Sequence, residues 1–177
     1  MGNEMITYLQ QLEILAFFSG YPLIYAIAAT IKSTARSGNS IKRRMFTLLP
    51  FAYAISGILY AGLQLRNLCP DLSYDHISSE IQIPFYAIWG FTSILFFLPA
   101  LNKKPFISLL HSSIFFYLMA KNYYLEISGS ETDPTVLKNY MKIYFDSIIL
   151  NIAIIIALLI INAAARYLKE KISPIRR

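Results

Sequence analysis

The sequence predicts an all-α membrane protein with five transmembrane helices. Of its 177 residues, 56% are hydrophobic and only 15% are charged, whereas soluble domains carry about 25% charged residues. The apolar residues form runs of about 20, the length that a helix rising about 1.5 Å per residue needs to cross a hydrocarbon layer about 30 Å thick. Because only short connections separate these runs, we expect residues 1–177 to form a single helical bundle.

Five apolar runs define the predicted spans. We place them at residues 12–31, 45–65, 81–101, 106–124 and 144–165. Only the sequence NKKP separates the third run from the fourth, so these two helices should be antiparallel neighbours. The longest predicted connection, residues 125–143, lies between the fourth and fifth spans.

The distribution of Lys and Arg predicts how the bundle lies in the membrane. Most of the 16 basic residues fall on one side, in the sequences IKRR, NKKP and KEKISPIRR, and most acidic residues fall on the other. Since basic segments stay cytoplasmic, we predict an external N-terminus, a cytoplasmic C-terminus and insertion in the plasma membrane. The basic loops are expected to attract anionic lipids. Their arrangement by membrane side argues against nucleic-acid binding.

Composition limits the available chemistry. Cys69 is the only cysteine in the sequence, and His76 and His111 are the only histidines, so one chain can form neither a thiolate metal site nor a three-histidine zinc site. We therefore expect no metal and no cofactor. The sequence contains no catalytic motif, which favours a non-enzymatic protein. The enzymatic alternative is an intramembrane hydrolase or lipid-modifying enzyme that uses Ser108 or Ser112 beside His111.

Small and polar residues of the second predicted span form one stripe along the helix. They recur at three- and four-residue steps, as expected for one helical face: Tyr53, Ser56, Gly57, Tyr60 and Gln64. Two interpretations of this stripe are compatible with each other. It either forms a close helix–helix contact or lines a polar cavity.

The first predicted span contains a proline near its middle, in the sequence FSGYP. Pro22 cannot donate a backbone hydrogen bond to the carbonyl of Phe18, so we expect a kink at this point. The kink either sets the packing of the helix or provides a hinge or a broken-helix binding site.

Two further intramembrane candidates lie on the third and fifth spans. Trp89 is about 12 Å from the predicted outer end of its span, too deep for the interfacial aromatic belt. It either packs in the bundle and donates its indole N–H, or stacks on a ligand. On the fifth span, Ser147, Asn151 and Asn162 share one broad face.

His111 lies about 9 Å inside the predicted cytoplasmic boundary of the fourth span. Other spans offer phenol or amide groups at similar depth, and we predict an inner polar cluster of His111, Ser112, Tyr25, Tyr53 and Asn162. Its imidazole either joins helices through a hydrogen bond, titrates or contacts a solute, or ligates a cofactor.

A second polar group is predicted near the outer boundary, where it comprises Glu13, Gln64, Gln82, Lys121 and Asp146. A mouth lined mainly by carboxylates attracts cations. The alternative is that the acidic residues cap helix N-termini, where the helix dipole favours negative charge.

These patterns lead to three functional hypotheses. The first is a small membrane protein that handles a small solute or ion through its polar interior or at the interface between copies in a homo-oligomer. The second is a non-catalytic subunit or partner of a larger membrane complex. The third is a membrane sensor or effector. The candidate ligand or pore residues are His111, Ser112, Tyr25, Tyr53, Asn162, Tyr60, Gln64, Trp89 and Asn151.

Overall fold

The computed structural model describes residues 11–33, 40–68, 85–129 and 133–172, and these residues contain helices and no strand. Helix α1 is described over residues 11–18. The helices that follow are α2 (Tyr21–Ser33), α3 (Ser40–Leu68), α4 (Phe85–Thr92), a 3-10 helix (Ser93–Phe97), α5 (Pro99–Asn102), α6 (Pro105–Ser128) and α7 (Pro134–Ile172).

Three stretches of the described chain are long and apolar enough to cross a membrane: Gln11–Ser33, Arg44–Asn67 and Pro134–Lys169. They coincide with the first, second and fifth predicted spans. The all-α fold and the membrane-embedded class follow from these helices.

The first apolar stretch is not one continuous helix. It turns at Ser19 and Gly20, between α1 and α2, and Pro22 lies in the first turn of α2. Proline is tolerated there because the first N–H groups of a helix have no intrahelical acceptor. The kink expected at Pro22 is therefore a two-residue break at Ser19 and Gly20, with backbone hydrogen bonds from Ser19 to Leu15 before it and from Ile24 to Gly20 after it.

The third predicted span, residues 81–101, is also interrupted. The eight-residue α4 passes into the 3-10 helix, which ends at Leu98 in an extended conformation before Pro99 opens α5. An α-helical conformation is disfavoured immediately before proline, which accounts for the break at Leu98. Residues 81–84 lie outside the described part of the chain.

Helix α6 corresponds to the fourth predicted span and is 24 residues long, about 36 Å at the usual rise. Its length would suffice for a span, but it carries His111, four serines, Lys121 and Asn122 and is less apolar than the three stretches above. Its inward side is polar in the first turns, where Ser108 and Ser112 are fully buried, and apolar further on, where Phe115, Leu118 and Met119 are buried. The α4 and α6 helices are neighbours, as the short NKKP connection predicts, with Trp89 against His111.

The last helix is much longer than predicted, and most of the expected 125–143 connection is helical. Helix α6 continues to Ser128, and α7 begins at Pro134 and runs for 39 residues. The start of α7 is defined by Asp133, whose carboxylate accepts a hydrogen bond from Thr135 N–H at 2.7 Å, with proline in the first turn. Apolar residues Val136, Tyr140 and Ile143 then pack against the core.

Aromatic rings fill the centre of the bundle. Phe18 stacks on Phe115 with ring centroids 4.9 Å apart, and its ring also meets Tyr53 and Tyr60 edge-on at 5.4 and 5.7 Å. All four side chains are fully buried. Such edge-to-face and offset pairs add to the stabilisation that comes from dense packing.

Candidate functional site

The polar stripe of the second span faces the interior of the bundle. Tyr53, Ser56 and Tyr60 are fully buried, and Gln64 is half-buried. Gly57 is in close contact with the 3-10 helix, because a Cβ at this position would overlap Ser93 Oγ. The stripe therefore packs tightly against its neighbour along part of its length, and its hydroxyl groups point into the protein.

Two hydroxyl groups hold the His111 imidazole. Tyr53 Oη lies 2.7 Å from Nδ1, and Thr92 Oγ1 lies 2.7 Å from Nε2. Thr92 also donates its hydroxyl proton to the carbonyl of Trp89 at 2.6 Å. Since that proton is used, Thr92 accepts from Nε2–H and Tyr53 donates to Nδ1. This balance assigns a neutral imidazole protonated on Nε2.

Trp89 completes this group of residues, which we call the His111 cluster: Tyr53, Trp89, Thr92 and His111. Its indole N–H donates to the carbonyl of His111 at 3.2 Å. Its ring stacks on the imidazole, with centroids 4.6 Å apart and planes inclined by 9°. Trp89 thus packs inside the bundle with its N–H bonded, the first of the two arrangements that its depth suggested.

Three members of the predicted inner cluster lie elsewhere. Ser112 is buried, but its hydroxyl donates to the carbonyl of Leu109 at 2.9 Å. Tyr25 packs against Phe46, and Asn162 lines a surface groove beside Arg44. In the described part of the chain, only Tyr53 among the four proposed partners bonds to His111.

A second hydroxyl pair links α2 to α6, and neither of its members was among the candidate ligand or pore residues, although Ser108 was named in the hydrolase alternative. Tyr21 Oη lies 2.7 Å from Ser108 Oγ, and Ser108 donates to the carbonyl of Pro105 at 2.7 Å. Tyr21 therefore donates to Ser108. Tyr21 and Tyr53 are adjacent, with ring centroids 4.5 Å apart.

Asn151 bonds to the interrupted first helix. Its amide donates to the carbonyl of Phe17 at 2.9 Å and to that of Ser147 at 2.8 Å, and its amide oxygen accepts from Ser56 Oγ at 3.2 Å. Ser147 Oγ accepts from Gly20 N–H at 2.9 Å. We call Phe17, Gly20, Ser56, Ser147 and Asn151 the break cluster, because they bond the backbone where α1 ends.

The polar stripe of the second span, which we call the α3 stripe, meets the carboxylate of Glu13 from α1 at one end. Glu13 accepts a hydrogen bond from Gln64 Nε2 at 2.9 Å and from Asn67 Nδ2 at 3.2 Å. Asp146 and Lys121 belong to the same predicted group but are exposed, and Gln82 lies outside the described residues. The structure therefore joins Glu13 with Gln64 and adds Asn67, which lies one turn after Gln64 on α3, next to Leu68, the last residue of that helix.

Tyr60 differs from the other buried hydroxyls. Among the buried side-chain nitrogen and oxygen atoms of the described residues, its hydroxyl oxygen is the one without a hydrogen-bond partner. Rings of Phe17, Phe18 and Phe91 surround the phenol, with centroids 5.4 to 5.7 Å from its own. A buried hydroxyl without a partner costs free energy, so this position is where the described interior retains capacity to bind a polar group.

The arrangement does not form a hydrolase or a metal centre within the described residues. Both ring nitrogens of His111 are bonded to Tyr53 and Thr92, so neither Ser108 nor Ser112 is paired with the imidazole. No group of three or more His, Cys, Asp or Glu side chains is close enough to hold a metal ion in this part of the chain.

Comparison with known proteins adds no relative. No protein-family model, curated protein or solved structure matches the chain. The geometry of the bundle is therefore the basis for the functional proposal.

Proposed function

We propose that the chain is a plasma-membrane protein with five spans, an external N-terminus and a cytoplasmic C-terminus, and that it handles a small solute or ion through its polar interior. Monovalent cations are the first class to test, because Glu13 lies at the end of the α3 stripe that this orientation places outside. Short polar loops and a small bundle favour an oligomeric assembly for this role.

The unpartnered Tyr60 hydroxyl is the observation that carries this proposal. It lies on the same face as Gln64, one turn of α3 away, and Gln64 in turn binds Glu13. A solute that enters beside Glu13 would meet the Tyr60 hydroxyl next. Further along the stripe it would reach Tyr53, whose proton is donated to His111.

Passage beyond Tyr60 requires the bundle to move. Phe18 and Phe115 stack at 4.9 Å across the centre, and a closely packed interior has no room for a hydrated ion. In this proposal α2 moves relative to α1 about the turn at Ser19 and Gly20, as discontinuous helices do in transporters, while Ser147 and Asn151 keep the backbone groups of that turn bonded. The structure thus corresponds to a closed state in this proposal.

Flux into proteoliposomes tests the proposal. The purified full chain is reconstituted, and uptake of H⁺, Na⁺ and K⁺ is followed with entrapped fluorescent indicators under an imposed gradient. We expect one of these probes to enter, and we expect Tyr60→Phe to slow its entry about tenfold, the effect of losing one polar contact of about 1.4 kcal/mol.

Tyr117→Phe is the matched control, because it also removes one phenolic hydroxyl but from a side chain that is 65% exposed. Its flux should equal that of the wild-type protein. Absence of flux for all three probes, or equal flux through the Tyr60→Phe variant, would contradict cation handling through this interior.

A second candidate is a non-catalytic subunit of a larger membrane complex. The observation in its favour is the exposure of α7: only 22% of its apolar 18-residue stretch is buried, against 50% of the corresponding stretch of α3. A protein partner would cover apolar side chains that otherwise contact lipid. Purification in mild detergent followed by mass spectrometry distinguishes the two, since a stoichiometric foreign chain supports the subunit role.

A further inference from the structure

A groove opens at the end of the bundle where α2 ends and α3 begins, against the turn between the 3-10 helix and α6. Its volume is about 560 Å³, and its lining includes Lys32, Phe46, Phe97, Pro99, Lys103 and Pro105. Ligand sites in proteins commonly measure about 300 to 1,000 Å³, so the groove is large enough for a small charged group.

The charged residues that line the groove are both lysines, and Thr47 and Asn102 add neutral polar groups. Lys32 extends over the Phe46 ring, with Nζ 4.1 Å from the ring centroid, and Lys103 contributes a second ammonium group from another element. No Asp or Glu is among the described residues that line the groove. Two lysines without a lining carboxylate are complementary to an anion.

The aromatic and proline walls of the groove continue onto an apolar surface. Phe97, Pro99 and Pro105 form part of the lining. Their neighbours in the chain, Leu98 and Phe106, are 52% and 65% exposed. A ligand that suits both parts has an anionic head and hydrocarbon chains.

We propose that this groove binds the phosphate-bearing headgroup of an anionic phospholipid. Lys32 and Lys103 contact the phosphate, and the acyl chains lie along the surface beside Leu98 and Phe106. The inference is independent of solute handling, because it uses neither the α3 stripe nor the His111 cluster.

Lipid binding is measured by native mass spectrometry of the full chain. The protein is released from vesicles of phosphatidylcholine alone, or of equal parts phosphatidylcholine and phosphatidylglycerol. We expect the wild-type protein to retain phosphatidylglycerol. Its affinity for this lipid, calculated from the fraction of protein with lipid bound, should fall about fivefold for each lysine replaced, in Lys32→Gln, Lys103→Gln and the double variant.

The control is Lys138→Gln combined with Lys142→Gln, which removes the same charge from two exposed positions of α7 outside the basic loops. This variant should retain phosphatidylglycerol as the wild-type protein does. Equal loss in the control, or full retention by the Lys32/Lys103 double variant, would overturn the proposal. Added inorganic phosphate should not displace the lipid; displacement would instead assign the groove to a soluble phosphate and overturn the choice of lipid.

Discussion

The break cluster and the His111 cluster are both buried polar sites in one bundle, but they satisfy different groups. In the break cluster, Ser147 and Asn151 bond backbone groups of Gly20 and Phe17 that the interrupted helix leaves available. In the His111 cluster, Tyr53 and Thr92 bond an imidazole, so side chains satisfy one another.

This difference separates a structural site from an adaptable one. The break cluster cannot lose its side chains without leaving backbone groups unpaired inside the bundle, which is costly in a membrane. The His111 cluster can change its hydrogen bonds by rotation of hydroxyl groups while every helix stays intact. Mutations should therefore affect stability most at the break cluster.

The largest effect is expected from Gly20→Ala. A Cβ at Gly20 would lie 2.6 Å from the backbone nitrogen of Ile148, so α7 must move away from the first span. Overpacking of this kind costs about 1 to 3 kcal/mol, and we expect a value near the upper end because the obstacle is backbone. The measurement is the free energy of unfolding in mixed micelles titrated with sodium dodecyl sulfate.

Gly62→Ala is the matched control for this variant. A Cβ at Gly62 meets nothing within 4 Å, and alanine favours a helix over glycine by about 1 kcal/mol. The control should be unchanged or more stable. A Gly20→Ala variant as stable as the wild-type protein would show that the two helices are not in close contact.

An intermediate effect is expected from Asn151→Ala. The change leaves the Phe17 carbonyl without the Asn151 amide and the Ser56 hydroxyl with the Ala52 carbonyl as its remaining acceptor. Hydrogen bonds between membrane helices average about 0.6 kcal/mol, with a maximum of about 1.7. We expect a loss of about 1 to 2 kcal/mol in the same unfolding titration. Asn162→Ala, in a surface groove, should change stability little; equal losses would refute the distinction between the two asparagines.

The same pair of asparagines shows what the sequence can predict. Periodicity predicts that Asn151 and Asn162 share one face of the fifth span, and in the structure Asn151 is fully buried on the inward side of α7. Residues 163–169 are exposed, so the end of α7 extends beyond its packing partners, and Asn162 lies near that end. Periodicity defines a face, but it does not define how far along the helix that face remains covered.

Depth has a similar limitation in the prediction of the His111 partners. Tyr25 has a suitable depth, but Tyr21 is the residue of α2 that reaches the interior and bonds to Ser108. The break at Ser19 and Gly20 determines which face of α2 turns towards the interior. Pro22 in the sequence predicts a kink, but it does not predict the direction of that kink. By contrast, the sequence Asp133–Pro134 carries a recognisable helix start, so the early beginning of α7 could have been predicted.

The smallest effects are expected from Tyr53→Phe and Tyr60→Phe, which remove the same atom from two fully buried residues of α3. Tyr53→Phe leaves His111 Nδ1 without its donor and should cost about 0.6 to 1 kcal/mol. It should also change the fluorescence of Trp89, the only tryptophan in the sequence, because the stacked imidazole is then less constrained.

Tyr60→Phe removes a hydroxyl that lacks a partner in the described bundle. The stability of this variant should therefore stay within about 0.5 kcal/mol of wild type, and its Trp89 fluorescence should be unchanged. If Tyr60→Phe destabilises the protein as much as Tyr53→Phe does, the Tyr60 hydroxyl is bonded within the folded chain and is not available to a solute.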